Sequence, residues 1–166
     1  TGLMLERNAQ EIVRNFGEVI VSLDGSQSVH DSIRNLPQGF EKVRTGVREL
    51  KKRNSAFRVT ARCVLQRYNF DDFFNTVSAA KEIGLDQISF LAADISSSAF
   101  NHTESEIEER VNEVALNKKE VLKFEEIIES SFSVLSNEYH SGFIAESPQK
   151  MRKIVQYYKA VNGLGE

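Results

Sequence analysis

Ser22 and Asp24 are the first residues of this sequence whose types and spacing could do chemistry. They lie two positions apart at the end of an apolar run, residues 19–23, that is followed by Asp24-Gly25. Side chains two apart on a strand share one face, so a hydroxyl and a carboxylate would point the same way. This pair suits hydrogen bonds to a hydroxylated ligand such as a ribose. Alternatively, the two residues only end the strand and cap the turn, in which Gly25 would take a positive φ.

Three further residues could contribute charge or a proton near this position. Arg62 falls on the polar side of a later alternating run, where its guanidinium could bind a ligand carboxylate through two parallel donors, or form a structural ion pair. His30 and Asp31 lie in the polar stretch after Gly25, which we predict to be a loop that also carries Arg34. This His–Asp neighbour pair could transfer protons or simply form hydrogen bonds.

Other clusters favour structural explanations. Cys63 lies in the apolar alternation and is expected to belong to the core. The acidic run Glu104, Glu106, Glu108 and Glu109 could bind a cation, but such a run is more typical of a solvated helix face. The sequence has no glycine-rich phosphate loop, no serine nucleophile elbow and no histidine pair with metal-ligand spacing.

The elements that must position these residues alternate between strand and helix. Short apolar runs predict strands at residues 19–23, 57–65 and 87–93, and the middle one alternates apolar and polar side chains. Helical periodicity occupies residues 5–16, which we expect Gly17 to cap, and residues 38–52. A further helix should begin at an Asn69 N-cap and stop at Gly84. This order predicts an α/β fold with a three-stranded parallel sheet, in which ligands bind beyond the carboxyl ends of the strands.

After Asp94 the pattern becomes helical, and we expect no further strand. Residues 96–98 indicate a loop, Asn117 with Glu120 forms a capping-box pattern, and Ser147-Pro148 is a typical helix start. The first of these two helices would run over residues 118–135, and the second would carry Tyr158 on its apolar side.

Composition sets broad limits. The chain has 166 residues, enough for one domain, and its net charge of −3 gives no electrostatic case for nucleic acid binding. No apolar run approaches the roughly 20 residues of a membrane span, and no signal peptide is visible. The single cysteine excludes an internal disulfide and suits a cytoplasmic location. Because the chain opens on Thr-Gly-Leu and enters a helix at once, we interpret it as a piece of a longer protein.

Several of these segments together resemble the radical S-adenosylmethionine (SAM) enzymes, in particular the SPASM-type branch with an extra C-terminal cluster domain. The matching segments are VIVSLDG, HDSIR, GFEKVRTGVREL and VLQRYN. The resemblance covers residues 1–101 and implies the second half of a partial (β/α)6 TIM-like barrel, with the three strands as its fourth, fifth and sixth. Residues 102–166 would be a helical extension that leads toward the cluster domain.

The resemblance implies an oxidoreductase-like enzyme that cleaves SAM reductively to a 5′-deoxyadenosyl radical, which abstracts hydrogen from a peptide or small-molecule substrate. The three cysteines that hold the family's [4Fe–4S] cluster would lie before residue 1, so this chain alone should be inactive. Ser22 matches the position that contacts the SAM ribose, and Asp24 accompanies it. Arg34 and Arg62 are candidates, by position alone, for the methionine carboxylate or an acidic substrate group.

Two other functions remain open from the sequence. The chain could belong to a different TIM-like barrel enzyme with a phosphate or sugar ligand, or it could be a non-catalytic interaction module. A barrel half also leaves the first strand with an unpaired edge. We therefore expect either a homodimer through that edge or a cover formed by the chain's own C-terminal helices.

Overall fold

A parallel β-sheet lies at the centre of the computed structural model, which describes residues 2–95 and 113–164. Its strands are β1 (Glu18–Ser22), β2 (Arg58–Leu65) and β3 (Gln87–Ala92), in the order β1-β2-β3. Both pairings are parallel; Ser22 lies beside Arg62, and Arg62 beside Ser89. The predicted α/β class, the three strands and their order along the sheet are confirmed.

Helices follow each strand. Those that the structure describes are α1 (Leu5–Asn15), α2 (Gln27–Arg34), α3 (Gly39–Arg53), α4 (Phe73–Ile83), α5 (Lys118–Val134), α6 (Ser136–His140) and α7 (Pro148–Val161), with a 3₁₀ turn at Phe70–Asp72. Within these ranges, no helix combines the length and apolar character needed to cross a lipid bilayer.

The two faces of the sheet differ in burial. On one face Val59, Ala61 and Cys63 of β2 are at most 1% exposed and belong to a single core with the helices. On the other face Ile20 of β1 is 52% exposed and Leu91 of β3 is 40% exposed. We call this second face, which also carries Ser22, Arg62 and Ser89, the open face; it matches the wetter face that the alternation in β2 predicted.

The stretch predicted as a polar loop is the helix α2, and that prediction was wrong. Ser26 occupies the N-cap position, and Asn35 ends the helix in the left-handed conformation, where its N–H bonds to the carbonyls of Asp31 and Ser32. The helix packs through the ring of His30, which is 2% exposed. A polar residue, His30, therefore occupies the buried position where an apolar residue is usual, so hydrophobic periodicity did not reveal the helix.

The C-terminal half begins as its capping signals predicted. The Asn117 side chain accepts from the N–H groups of Lys119 and Glu120, and the Glu120 carboxylate accepts from Asn117 N–H in return. Ser147 caps α7 with Pro148 at its first position. The acidic run at residues 104–109 and the loop at 96–98 lie outside the described residues.

A short piece of extended chain after Asp94 also joins the sheet as an isolated bridge, although no strand follows β3 in the described residues. Ile144 pairs in parallel with Ile88 at the outer edge of β3, where Ile88 N–H donates to Phe143 O at 2.8 Å. The Glu146 carboxylate then accepts from Phe90 N–H at 2.7 Å. The C-terminal half thus protects the edge of β3, at the opposite side of the sheet from β1.

Candidate functional site

The carboxyl end of β1 enters a buried polar network centred on Asp24, which is 2% exposed. Its carboxylate Oδ2 accepts from Arg34 Nε at 2.5 Å, and its backbone N–H donates to His30 Nδ1 at 3.1 Å. Its carbonyl accepts from the Asn69 side chain at 2.8 Å. The structure therefore joins two of the predicted site residues, Asp24 and Arg34, directly to each other.

His30 is held as a neutral imidazole by this network. Because Nδ1 accepts the Asp24 N–H, the ring proton must lie on Nε2. Burial lowers the pKa of His30 from its ordinary value, although the nearby Asp24 carboxylate opposes this shift. The sequence left open whether His30 transfers protons or only forms hydrogen bonds. The contact in the structure is a hydrogen bond, and its partner is Asp24 rather than the neighbouring Asp31. Asp31 instead accepts from the N–H groups of Gln38 and Phe40.

Asn69 connects the end of β1 with the end of β2. Its Nδ2 group donates to the carbonyls of Asp24 and Val64, and its Oδ1 accepts from Gln66 N–H. Asn69 occupies the predicted N-cap position before the 3₁₀ turn, but its side chain makes no capping bond there. This buried amide fixes the spacing of two strand ends, and sequence reasoning missed it because its main partner lies 45 residues away.

Gly25 is required by close packing. A Cβ atom built on Gly25 would lie 2.5 Å from Val29 Cγ1 and 2.9 Å from Asp72 Oδ2. Its φ is not among the positive values in the described chain, so the predicted left-handed turn was wrong. The missing side chain lets α2 approach the strand end, where Asp72 Oδ2 accepts from Ser26 N–H at 2.6 Å.

Ser22 and Arg62 form a second pair of predicted residues, on the open face. They are register neighbours on β1 and β2, so about 4.8 Å separates their strands. Ser89 of β3 completes the row and donates from its hydroxyl to Ala61 O. The Arg62 side chain is exposed and makes no hydrogen bond or ion pair within the described residues, although its charge acts on the Glu146 carboxylate, where it opposes the rise in pKa that burial causes. The structural ion pair that was its alternative explanation is therefore not formed in that part of the chain.

A cavity of about 550 Å³ opens where the strands end. Its lining includes Val64, Gln66 and Tyr68 at the end of β2, Asp94 after β3, and Ile33 of α2. The opposite wall carries Glu113 and Val114. In parallel α/β sheets this edge is where ligands bind, but none of the predicted site residues Ser22, Asp24, Arg34 and Arg62 lines the cavity.

Cys63 cannot serve as a ligand on this face. Its side chain lies in the core with no exposed surface, and burial raises the pKa of its thiol well above the usual value. Because a metal binds the thiolate, this residue fits its predicted core role. Within residues 2–95 and 113–164, no three His, Cys, Asp or Glu side chains are grouped so that they could hold a metal ion.

Comparison with known proteins adds no assignment. No protein-family model matches this chain, and a search of curated proteins found no significant match.

Proposed function

We propose that this chain supplies three strands of a radical SAM barrel and that its open face holds part of SAM. The observation that carries the proposal is the register pairing of Ser22 with Arg62 on a face left open by the helices. A hydroxyl beside a guanidinium without a hydrogen-bond partner offers a polar anchor on the same sheet face as Val64, which lines the cavity at the strand ends. The parallel order of the strands is the one a partial (β/α)6 barrel requires.

Under this proposal each site residue has a separate role. The Ser22 hydroxyl binds the SAM ribose, and the Arg62 guanidinium binds the methionine carboxylate through charge-assisted hydrogen bonds. Asp24 and Arg34 act as positioning residues, because they bind each other and hold α2 against the end of β1. Bound SAM would supply a 5′-deoxyadenosyl radical for hydrogen abstraction from the substrate, once it receives one electron from the reduced [4Fe–4S] cluster of the complete enzyme.

The described residues do not fit an iron–sulfur cluster. Cluster ligands are thiolates, whereas the one thiol of the chain, Cys63, is buried in the core. We therefore propose that another part of the parent protein holds the [4Fe–4S] cluster and that this chain provides none of its ligands. A single buried thiol fits a reducing compartment, so we place the protein in the cytoplasm.

A second candidate function uses the same observation. An unpaired guanidinium beside a serine would also bind a phosphate group, as in an ordinary TIM-like barrel enzyme with a sugar-phosphate ligand. The two candidates differ in the ligand that Arg62 should prefer. Titration of the chain with SAM and with ribose 5-phosphate, in the same buffer, separates them.

The decisive experiment uses the parent protein, recovered from the coding sequence that surrounds this chain. A CxxxCxxC motif upstream, and 5′-deoxyadenosine released from SAM under reducing anaerobic conditions, would support the proposal. Arg62→Met should raise KM for SAM about tenfold or more, since a hydrogen bond to a charged group contributes about 1.5–3 kcal/mol. The matched control is Arg58→Met. Arg58 shares the strand and the face but already pairs with Glu18.

The chain alone gives a second measurement. Since it would contain only the ribose and carboxylate side of the site, calorimetry should show weak binding of SAM or none. A dissociation constant of about 1 μM or below, equivalent to roughly −8 kcal/mol, would contradict the proposal that the site is completed elsewhere. An absence of 5′-deoxyadenosine from the reconstituted parent protein would rule out the radical SAM function itself.

A further inference from the structure

We infer that the open face binds the head group of an α-amino acid, with the carboxylate on Arg62 and the ammonium on Ser89. This inference rests on the proposed function and deepens it, because it assigns a second charged group of the ligand, and a further residue, to the same site. Ser22, at the other end of the row, keeps the role already proposed for it.

The Ser89 hydroxyl is available to a ligand only as an acceptor. Ser89 lies beside Arg62 in the register of β2 and β3, about 4.8 Å away across the sheet. Its proton is already used, because Oγ donates to Ala61 O at 3.2 Å. The lone pairs that remain call for a hydrogen-bond donor, and an ammonium group carries three of them. An ionised carboxylate, which has no proton to donate, does not suit this position.

The Arg62 guanidinium has the opposite preference. It is exposed and makes no hydrogen bond or ion pair in the part of the chain that the structure describes. Arg58, four residues earlier on the same face, already pairs with Glu18 and donates to Gln87. Arg62 is therefore the residue of this face that can offer parallel donors to a ligand carboxylate.

An α-amino acid presents the two required groups on a single carbon atom. Ser89 has a short side chain and Arg62 a long one, and they stand on adjacent strands. The ammonium would lie close to the sheet at Ser89, with the carboxylate above it and within reach of the guanidinium. A simple carboxylate or a phosphate would use Arg62 alone and leave the Ser89 lone pairs without a donor from the ligand.

A buried carboxylate beyond Ser89 favours the same orientation. Glu146 is 5% exposed and accepts from the N–H of Phe90, the residue that follows Ser89. Burial raises the pKa of Glu146, and the charges of Lys150 and Arg62 oppose that shift. Because these two cations already act on Glu146, we assign it only a small contribution to ammonium binding. Its negative charge disfavours placing the ligand carboxylate on the Ser89 side.

The next row of the open face suits the side chain of such a ligand. Val64 and Leu91 are register neighbours two residues nearer the strand ends. Leu91 is exposed, and Val64 also lines the cavity there. On the other side of the row, the Gln87 amide already bonds to Arg58 and to Gly142 O. The side chain of the ligand would therefore lie along Val64 and Leu91, which favours an aliphatic or thioether chain.

The test is an NMR titration of the chain with L-methionine and two analogues that each lack one charged group. The analogue 4-(methylthio)butanoate lacks the ammonium, and 3-(methylthio)propylamine lacks the carboxylate. The backbone amide of Ser89 and the Nε resonance of Arg62 report on the site. L-Methionine should bind in the millimolar range and about two- to fivefold more tightly than either analogue, because charge pairs at exposed sites contribute little. Added salt should reduce both differences.

Two variants assign each difference to one residue. Ser89→Ala should abolish the preference for methionine over the butanoate and keep the preference over the amine, whereas Arg62→Met should do the reverse. The matched controls are Ser133→Ala and Arg58→Met, and neither should change either preference. The Ser133 hydroxyl also donates to a backbone carbonyl but lies on α5, and Arg58 shares the sheet face with Arg62 but has its own partner.

Three results would overturn the inference. The first is butanoate binding as tight as that of methionine, and the second is an unchanged ratio of the two in Ser89→Ala. The third is the absence of any shift at Ser89 with methionine at tens of millimolar.

A titration with SAM separates the two sources of this head group. Binding of SAM tighter than that of methionine, with the gain lost in Ser22→Ala, supports the methionine part of SAM as the ligand. Binding of SAM no tighter than that of methionine supports a free α-amino acid and contradicts the role proposed for Ser22.

Failure here is distinguishable from failure of the proposed function. If the parent protein cleaves SAM while Ser89→Ala leaves the ratio of methionine to butanoate binding unchanged, only the ammonium assignment fails. If the preferences are as expected but the parent protein releases no 5′-deoxyadenosine, the radical SAM function fails and the head-group site remains.

Discussion

Arg34 Nε donates to Asp24 Oδ2 at 2.5 Å, and this contact fastens α2 to the end of β1 across ten residues of sequence. The Asp24 side chain is 3% exposed, whereas that of Arg34 is 32% exposed. The carboxylate therefore depends on this partner more than the guanidinium does, because an unpaired buried charge is costly.

Replacing Arg34 with methionine should lower the free energy of unfolding by about 1–3 kcal/mol, less than a fully buried pair because Arg34 is partly solvated. Urea denaturation measures this change. The matched control is Arg58→Met, since Arg58 and Glu18 are both about half exposed and should contribute below about 1 kcal/mol. Adding Asp24→Asn to Arg34→Met should recover part of the loss. If Arg34→Met and Arg58→Met lowered the free energy of unfolding equally, the role assigned to the Asp24–Arg34 pair would be contradicted.

His30 should make the stability of the chain depend on pH below neutrality. Burial lowers the pKa of His30 in the folded state from its ordinary value of 6.5, so the unfolded chain binds the proton first. Stability should therefore fall as the pH drops below about 6.5, with a slope of at most about 1.4 kcal/mol per pH unit from this group. Urea denaturation at about pH 7 and about pH 5.5 measures the effect.

The control for this prediction is His30→Asn, which retains an acceptor for the Asp24 N–H but cannot titrate in this range. The variant should show a flatter dependence on pH than the wild-type chain. His140 is exposed and stays in both proteins, so its contribution cancels in the comparison. Identical slopes in the two proteins would show that His30 does not couple folding to pH.

The two glycines near β1 should respond in opposite ways to alanine. Gly25→Ala should cost about 1–3 kcal/mol, because the added Cβ would lie 2.5 Å from Val29 Cγ1. At Gly17 a Cβ meets nothing within 4 Å and φ is not positive, so Gly17→Ala should be neutral or stabilise the chain by up to about 1 kcal/mol. Thermal denaturation of both variants tests the pair, and a loss at Gly17 as large as that at Gly25 would contradict the packing argument.

Hydrophobic periodicity predicted the three strands and most of the helices, because burial in them follows the spacing of apolar residues along the sequence. The alternation in β2 placed Val59 and Cys63 in the core, and both are completely buried. The capping box of α5 was predictable because Asn117 and Glu120 satisfy each other's backbone within one turn. Gly84 likewise ends α4 with φ of 86°, as expected of a glycine C-cap. Gly17 was expected to cap α1, but that helix ends at Asn15 and its C-cap residue is Phe16, in an extended conformation.

The site was harder to predict because its contacts join distant segments. The pairing of Ser22 with Arg62 depends on the register of β1 and β2, which no local pattern fixes. Asn69 reaches Asp24 across the sheet, and Glu146 reaches Phe90 across 56 residues. Asn69 and Glu146 are polar side chains that bond to backbone groups of distant segments. Hydrophobic patterns carry no information about such contacts.

The edge of β1 is expected to mediate self-association of this chain. Leu23 N–H donates to Arg62 O of β2. Because the N–H and C=O groups of successive residues point to opposite edges of a strand, those of Ile20 and Ser22 point away from β2. No backbone group in the described part of the chain pairs with them. The C-terminal helices were one predicted cover for this edge, but the described C-terminal segment pairs with β3 instead. A strand placed beside β1 in a longer barrel would occupy the same edge, so the prediction applies to this chain alone.

Two copies can pair through β1 in an antiparallel register that is free of like-charge contacts. With Ile20 opposite Ile20 of the second copy, Glu18 faces Ser22 and no like charges meet. A shift that places Val21 opposite itself brings Glu18 against Asp24, which is unfavourable. In the register with Ile20 opposite Ile20, the Cα atoms of these two residues would lie about 5.5 Å apart, within the range for a disulfide.

Ile20→Cys should therefore cross-link two copies rapidly under mild oxidation, and light scattering of the unmodified chain should show a dimer. Leu91→Cys is the matched control, because Leu91 is also exposed on the open face but lies on β3. Cys63 stays silent in both variants since its thiol is buried. Ile20→Lys should restore the monomer, because charged residues on an edge strand oppose pairing. A monomeric wild-type chain, or cross-linking no faster at Ile20 than at Leu91, would show that the edge of β1 stays unpaired in solution.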